Sequence, residues 1–185
     1  MRGADHVSLM AAELGLGGAR RWSYVFTPSF LPLRPGSDCQ PMQGRQQIHG
    51  SCVAREGHGV LLIGPAGCGK SDLALRLLGR GFDLVADDRV DIESNIASPP
   101  ATIAGLLEVR GLGIVRLPYA GSARLALVAE LGAVVDRLPM PGRHAGLGLP
   151  LVRLDPAQAS AVERVVLALD CAVGRVCQVA GAFMA

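Results

Sequence analysis

The stretch that decides the fold is Gly64 to Ser71, GPAGCGKS, inside the longer run HGVLLIGPAGCGKSDLALRLLGRGFDLVADD, residues 58–88. The octapeptide satisfies G-x-x-x-x-G-K-[ST] in full. HGVLLIG before it is a continuous apolar run and predicts a strand buried on both faces. KSDLALRLLGRG after it predicts a helix, with Leu73, Leu77 and Leu78 on one face and Gly79 and Gly81 as stop signals. Strand, glycine-rich turn and helix together define a phosphate-binding loop. Gly64, Gly67 and Gly69 let the backbone curl so that its N–H groups converge on an anion at a helix N-terminus. Pro65, Ala66 and Cys68 complete the loop, and Ser71 offers a hydroxyl to Mg²⁺. Lys70 is the only lysine in a chain with seventeen arginines. A compact ammonium fits a curled loop as a point charge, whereas a planar guanidinium needs more room and a bidentate partner.

Working outward, the elements alternate from Ile48 on. IHGSCVAR reads as a strand ahead of the loop, and FDLVADD as a short strand ending in acid. LLEVRGLGIVRL and RLALVAEL read as further strands, and PAQASAVERVVLALD as a last helix with Pro156 in its first turn. The expected fold is one mixed α/β domain over residues 48–185. Residues 1–47 carry scattered Gly and Pro with no sustained period, and are expected to be a poorly ordered extension or, with Met42 as the true start, a mis-assigned leader.

Bulk composition narrows the functional classes. The 185 residues are 50% hydrophobic with a formal charge of +2, and the arginines are dispersed. That suits a soluble domain and offers no clustered basic face for nucleic acid. Five cysteines without a C-x-x-C pair suggest neither zinc nor a disulfide framework, and a reducing cytoplasm is expected. The apolar C-terminal stretch is broken by Asp170 and Arg175, so no membrane span is expected. The twin arginine in ARRWSYVF is followed by too short an apolar run to read as an export signal.

Asp87 and Asp88 end the strand that follows the loop's helix. Acids there, near bound phosphate, have two natural tasks: holding Mg²⁺ and taking a proton from an incoming hydroxyl. Neighbouring strand residues point to opposite sides, so one of the two is expected to face the terminal phosphate. Taken alone, His49 is an ordinary histidine, Glu108 a half-buried strand residue paired with Arg110, and the Asp136–Arg137 pair of VVDRLP a strand end with a local ion pair. Cys68 reads either as a small loop residue or as a thiol activated by the helix N-terminus.

In this order, IHG, GPAGCGKS, GFDLVADDRVDI, LLEVRGLGIVRL and VVDRLP resemble the catalytic domain of HPr kinase/phosphorylase, over about residues 48–138. The resemblance implies a phosphoenolpyruvate-carboxykinase-like α/β fold and transfer of the γ-phosphoryl of ATP to a serine of HPr, the phosphocarrier of the sugar phosphotransferase system, or of its nitrogen-branch paralogue. It implies that Lys70 contacts the β and γ phosphates, and that Ser71 and Glu108, with Asp87 as a further candidate, hold Mg²⁺. It implies that Asp88 is the base and that His49 and Arg137 are active-site residues, Arg137 for the reverse phosphorolysis. The chain is similar to the short forms of alpha-group proteobacteria. Beyond Leu138 it departs from the family pattern, which leaves phosphorolysis and homo-oligomeric assembly open. Two other readings compete with a protein kinase: a nucleotide-sensing module without transfer, and a small-molecule kinase that leaves LLEVRGLGIV unexplained.

Overall fold

The computed structural model describes residues 44–183; the expectation for residues 1–43, and Cys39 within them, lies outside these. Ten strands and two α-helices follow one another. They are β1 (Gln46–His49), β2 (Ser51–Arg55), β3 (His58–Ile63), α1 (Lys70–Leu78), β4 (Asp83–Ala86), β5 (Arg89–Glu93), β6 (Ile96–Ser98), β7 (Leu106–Val109), β8 (Gly113–Arg116), β9 (Ala123–Leu131), β10 (Leu151–Leu154) and α2 (Ala161–Ala172).

Eight strands form one mixed sheet in the order β1-β5-β6-β9-β3-β2-β4, with β10 added to β9 beside β6. β9 is parallel to both β3 and β10, and the other pairings in this sheet are antiparallel. The expected burial of β3 on both faces is observed, and alternation divides it between two cores. Val60 and Leu62 pack with Leu127, Ala129 and Leu131 of β9 against Leu73 and Leu77 of α1 and Val165 and Leu169 of α2. Leu61 faces the other way, into a cluster with Cys52, Val85, Val90, Ile92, Leu125 and Val128. The sheet curls so that β5 approaches β2 and β6 approaches β4 around this second core. A register shift between Gly59 and Val60 opposite β9 lets Leu125 and Val128 share a face despite their odd spacing.

Several elements differ from what local pattern predicts. IHGSCVAR is two strands, because β1 pairs with β5 while β2 pairs with β3 and β4, and Gly50 is the joint between them. A β-carbon on Gly50 would stand 2.7 Å from the carbonyl oxygen of Leu62, so the chain can pass there only without a side chain. LLEVRGLGIVRL forms a hairpin, β7–β8, in a sheet of its own. Its base is closed at Gly105, whose carbonyl accepts from Leu117 N–H at 2.8 Å. β9 ends at Leu131, so Asp136 and Arg137 lie in the following loop rather than at a strand end, and they form no ion pair with each other. Pro156 lies in the turn ahead of α2 and not in its first turn, because the helix begins at Ala161.

Two tight turns set the register of the β2–β3 and β5–β6 pairs, and one ion pair ties β1 to β5. Glu56–Gly57 and Ser94–Asn95 link β2 to β3 and β5 to β6 with positive φ at both central residues, the geometry that matches strand twist. Arg45 Nη2 donates to Asp91 Oδ2 at 2.8 Å and Gln47 Nε2 to Oδ1 at 2.9 Å, across the β1–β5 pair. These donors hold the buried Asp91 carboxyl below its ordinary range, against the opposing effect of burial. A carboxylate with a depressed native pKa stabilises the fold fully above its unfolded value of about 3.9, and that contribution is lost below it as pH falls through the lower folded value. Asp91→Asn is therefore expected to lower the urea midpoint at pH 7, with the gap to the wild-type chain narrowing below about pH 4, measured by fluorescence-detected unfolding at both values.

Candidate active site

The site forms where two bends in an antiparallel ribbon face each other. β1 with β5 and β2 with β4 share one register, His49 opposite Arg89 and Cys52 opposite Ala86, so Gly50 stands opposite Asp88 and Ser51 opposite Asp87. Both chains bend there. Gly50 supplies the joint on one side, and on the other Asp88 takes a left-handed conformation at φ 65°, which aspartate tolerates better than most residues. Gly50 N–H donates to the Asp88 carbonyl at 3.1 Å, which ties the bends together. The sequence separates IHG from ADD by the whole loop and helix, and the ribbon makes them neighbours.

As alternation predicts, the two aspartates diverge. Asp87 is buried, and its carboxylate accepts Ser51 Oγ at 2.6 Å, Ser71 Oγ at 2.9 Å and the backbone N–H of Glu108 at 3.3 Å. It thus joins the ribbon, the phosphate loop and the β7–β8 hairpin. Asp88 is exposed, with 66% of its side chain accessible, and is the carboxylate open to an incoming group. His49 Nδ1 lies 2.9 Å from the Asp88 carbonyl and 3.2 Å from its Oδ1. A carbonyl only accepts, so Nδ1 carries the proton in that contact. Arg89 Nε stands 3.9 Å from the other Asp88 oxygen.

The loop has the form its glycines require. Gly64, Gly67 and Gly69 all have positive φ. Gly64 runs so close to the end of β9 that a β-carbon there would stand 2.6 Å from the Leu131 carbonyl oxygen. Lys70 is buried under the curl, its Nζ donating to the carbonyls of Gly64 at 3.0 Å and Pro65 at 2.9 Å. No side chain caps α1 at Gly69. Pro65, Ala66 and Gly67 form the exposed rim. Cys68 packs against the first core with its Sγ beneath Gly64, which supports the reading of a small structural residue. Burial pushes the Cys52 thiol up to about 12, so that thiol stays protonated.

Among the described residues no three His, Cys, Asp or Glu side chains cluster as a metal cage. The donors that are present, the Ser71 hydroxyl beside the Asp87 carboxylate with Glu108 on the adjoining strand, are all hard oxygens. That set fits Mg²⁺, which commonly takes one or two protein oxygens and completes its shell with phosphate and water. Glu108 is exposed and makes no ion pair with Arg110, contrary to the half-buried pair expected of it. Arg137 is exposed, and no hydrogen bond or ion pair ties it to the loop or to Asp88. The structure therefore brings together Lys70, Ser71, Asp87, Asp88, His49 and the strand carrying Glu108, and no hydrogen bond or ion pair joins Arg137 to them. Sequence reading missed Ser51 altogether, and it gave Arg110 and Pro156 other roles than a place beside the loop. Pro156 Cγ lies 3.4 Å from where a β-carbon on Gly69 would stand, and its carbonyl accepts from Arg76 of α1.

A mixed α/β domain with a G-x-x-x-x-G-K-[ST] loop between strand and helix, and acidic residues at the end of the following strand, is an arrangement that also occurs in nucleotide-phosphate-binding domains. Residues 40–123 match the family described as HPr Serine kinase C-terminal domain. The HPr kinase/phosphorylase of Clostridium tetani is 49% identical over 94 residues, 48% of this chain and 31% of the relative. That of Lactiplantibacillus plantarum is 46% identical over 76 residues, 38% of this chain and 24% of the relative. The solved structure of the Hpr(Ser) kinase/phosphatase from Coxiella burnetii aligns with a TM-score of 0.57 at 25% identity, covering 70% of this chain and 92% of that one. Over this region the chain is similar to HPr kinase/phosphorylases, and it spans under a third of the length of these two curated relatives.

Ser51→Ala removes a fully buried donor from an ionised carboxylate. It is expected to cost about 1.5–3 kcal/mol of stability, measured by urea unfolding at pH 7. An unchanged midpoint would mean that Asp87 is held by its other two donors alone.

Proposed function

We propose that the chain is a protein-serine kinase that transfers the γ-phosphoryl of ATP to a serine of an HPr-like phosphocarrier in the cytoplasm. The observation that carries this reading is the pairing of the two bends, which sets an exposed carboxylate, Asp88, next to the buried one, Asp87, that is bonded to the phosphate loop. A binding module needs the loop and has no use for the second acid.

In this reading the loop's N–H groups and the Lys70 ammonium bind the β and γ phosphates. The lysine exchanges its two carbonyl acceptors for phosphate oxygens. Ser71, Asp87 and Glu108 would hold Mg²⁺, which supplies neutralisation of phosphate charge when bound. The serine hydroxyl of the carrier enters on the Asp88 side. Its oxygen forms a bond to the γ phosphorus as the bond to the bridging oxygen breaks, ADP leaves, and the serine proton passes to the Asp88 carboxylate. His49 orients that carboxylate through the same bend. Phosphoryl transfer is mainly positioning and charge neutralisation, and this geometry supplies both. In this reading protonated Asp88 returns the proton in the reverse direction, with Arg137 assigned to that direction.

The acceptor is inferred to be a protein because the hairpin beside the site presents apolar side chains to solvent. Leu112 and Ile114 are 73% and 71% exposed, next to Arg110 and Glu108. Such side chains are commonly covered by a macromolecular partner. Among the described residues no helix is long and apolar enough to cross a membrane.

The test is incubation of the full chain with Mg²⁺-ATP and HPr from the same organism, read by intact-protein mass. One added, acid-stable phosphate on a serine is expected. Asp88→Asn should retain ATP binding and lose transfer by about 10²-fold or more, and Lys70→Ala should lose both. ATP binding with no mass gain would favour the sensor reading instead.

A further inference from the structure

A cavity of about 520 Å³ opens between α2, β10, the loop that follows β9 and the C-terminal segment, and it shares no residue with the phosphate loop or the Asp87–Asp88 bend. That volume is in the range of small-molecule sites. α2 turns Val162, Val165 and Leu169 into the first core. Arg164, Leu167, Ala168 and Cys171 recur at helical spacing and line the cavity, with Val152 and Leu154 of β10 across from them. Several large apolar side chains of the lining are open to water: Val134 and Val179 are each 86% exposed, Met140 84% and Leu167 55%.

The charge of the lining is one-sided. Among the described residues it carries three guanidiniums, Arg143, Arg153 and Arg164, against one carboxylate, Asp136. Arg153 is paired with Glu130 at 2.9 Å, and Arg143 Nη1 donates to the Gly148 carbonyl at 2.8 Å. Neither Arg143 nor Arg164 forms an ion pair among the described residues. We infer that this cavity is a binding site for a linear-chain carboxylate of medium length, its apolar chain lying along Leu167, Val152 and Met140 and its carboxylate held by Arg164. A guanidinium fork suits a carboxylate, and the chain would remove from water the apolar surface that the walls now expose. A second copy of this chain is a weaker match. A twofold contact sets a patch against itself, and here it would bring Arg143 and Arg164 against their own equivalents. The site does not depend on the kinase reading.

The cavity also holds its own reporter, since Cys171 and Cys177 both line it. Burial, reinforced by Asp170 and Cys177, pushes the Cys171 thiol up, so the exposed Cys177 is the thiol open to an alkylating agent.

The test is calorimetric titration of the full chain at pH 7 with hexanoate, octanoate, decanoate and decanol, all below their aggregation limits, with peptide mapping of iodoacetamide labelling. Affinity is expected to rise about threefold to fourfold per methylene, and decanoate should slow labelling of Cys177. Arg164→Ala should weaken decanoate about tenfold and leave decanol within about twofold, and Leu167→Glu should abolish binding of both. Both residues are exposed, and an unchanged thermal midpoint of the ligand-free variants separates loss of the site from loss of the fold. No decanoate binding up to about 1 mM overturns the proposal. Equal affinity for decanol and decanoate overturns the assignment of Arg164, and binding that leaves Cys177 labelling unchanged places the ligand elsewhere and overturns the site. A wild-type dimer in sedimentation that Leu167→Glu converts to monomer makes this face an interface between copies and overturns it as well.

Discussion

Asp87 is the constraint on which the rest of the site depends. A carboxylate with 5% exposure is tolerable only if its oxygens are bonded, and its three donors come from three separate parts of the chain: Ser51 at the ribbon bend, Ser71 at the start of α1 and the backbone of β7. Satisfying one buried charge therefore fixes how the loop, the ribbon and the hairpin meet. Asp88, His49, Glu108 and Arg110 owe their placement to that meeting.

Close backbone contact enforces the same arrangement from below. β3 and β9 run parallel, so their C-terminal ends lie side by side, and the loop leaving β3 crosses the end of β9 with no space for a β-carbon at Gly64. Parallel strands with both faces covered by core present their loops at one end, the usual place for a ligand in α/β sheets. Pro156 on Gly69 and the Arg76 bond to the Pro156 carbonyl then lock the start of α1 from the α2 side.

What was legible in the sequence was local. The strand, loop and helix around GPAGCGKS depend on neighbours within a few residues, and the apolar run of β3 and the Leu73, Leu77 face of α1 could be read directly. The divergence of Asp87 and Asp88 also follows from alternation. The break at Gly50 was hidden because IHGSCVAR has continuous strand character, and only the change of partner from β5 to β3 and β4 divides it. LLEVRGLGIVRL has a strand pattern, yet nothing local says that it leaves the main sheet. Ser51 and Arg110 are unremarkable until tertiary pairing sets them beside Asp87 and Gly67, residues 36 positions away in the first case. VVDRLP looked like a strand end, and β9 stops short of it at Leu131.

The claim at the centre of this account is that the paired bends put Asp88 on the open side of a terminal phosphate held by the loop. The most direct measurement is a crystal structure of the full chain with Mg²⁺ and a non-hydrolysable ATP analogue. The account predicts the γ-phosphate beside Lys70, with its outer face toward the Asp88 carboxylate and room for a serine hydroxyl between them. A terminal phosphate turned away from the Asp87–Asp88 bend, or a nucleotide bound outside the Gly64–Ser71 loop, would contradict it.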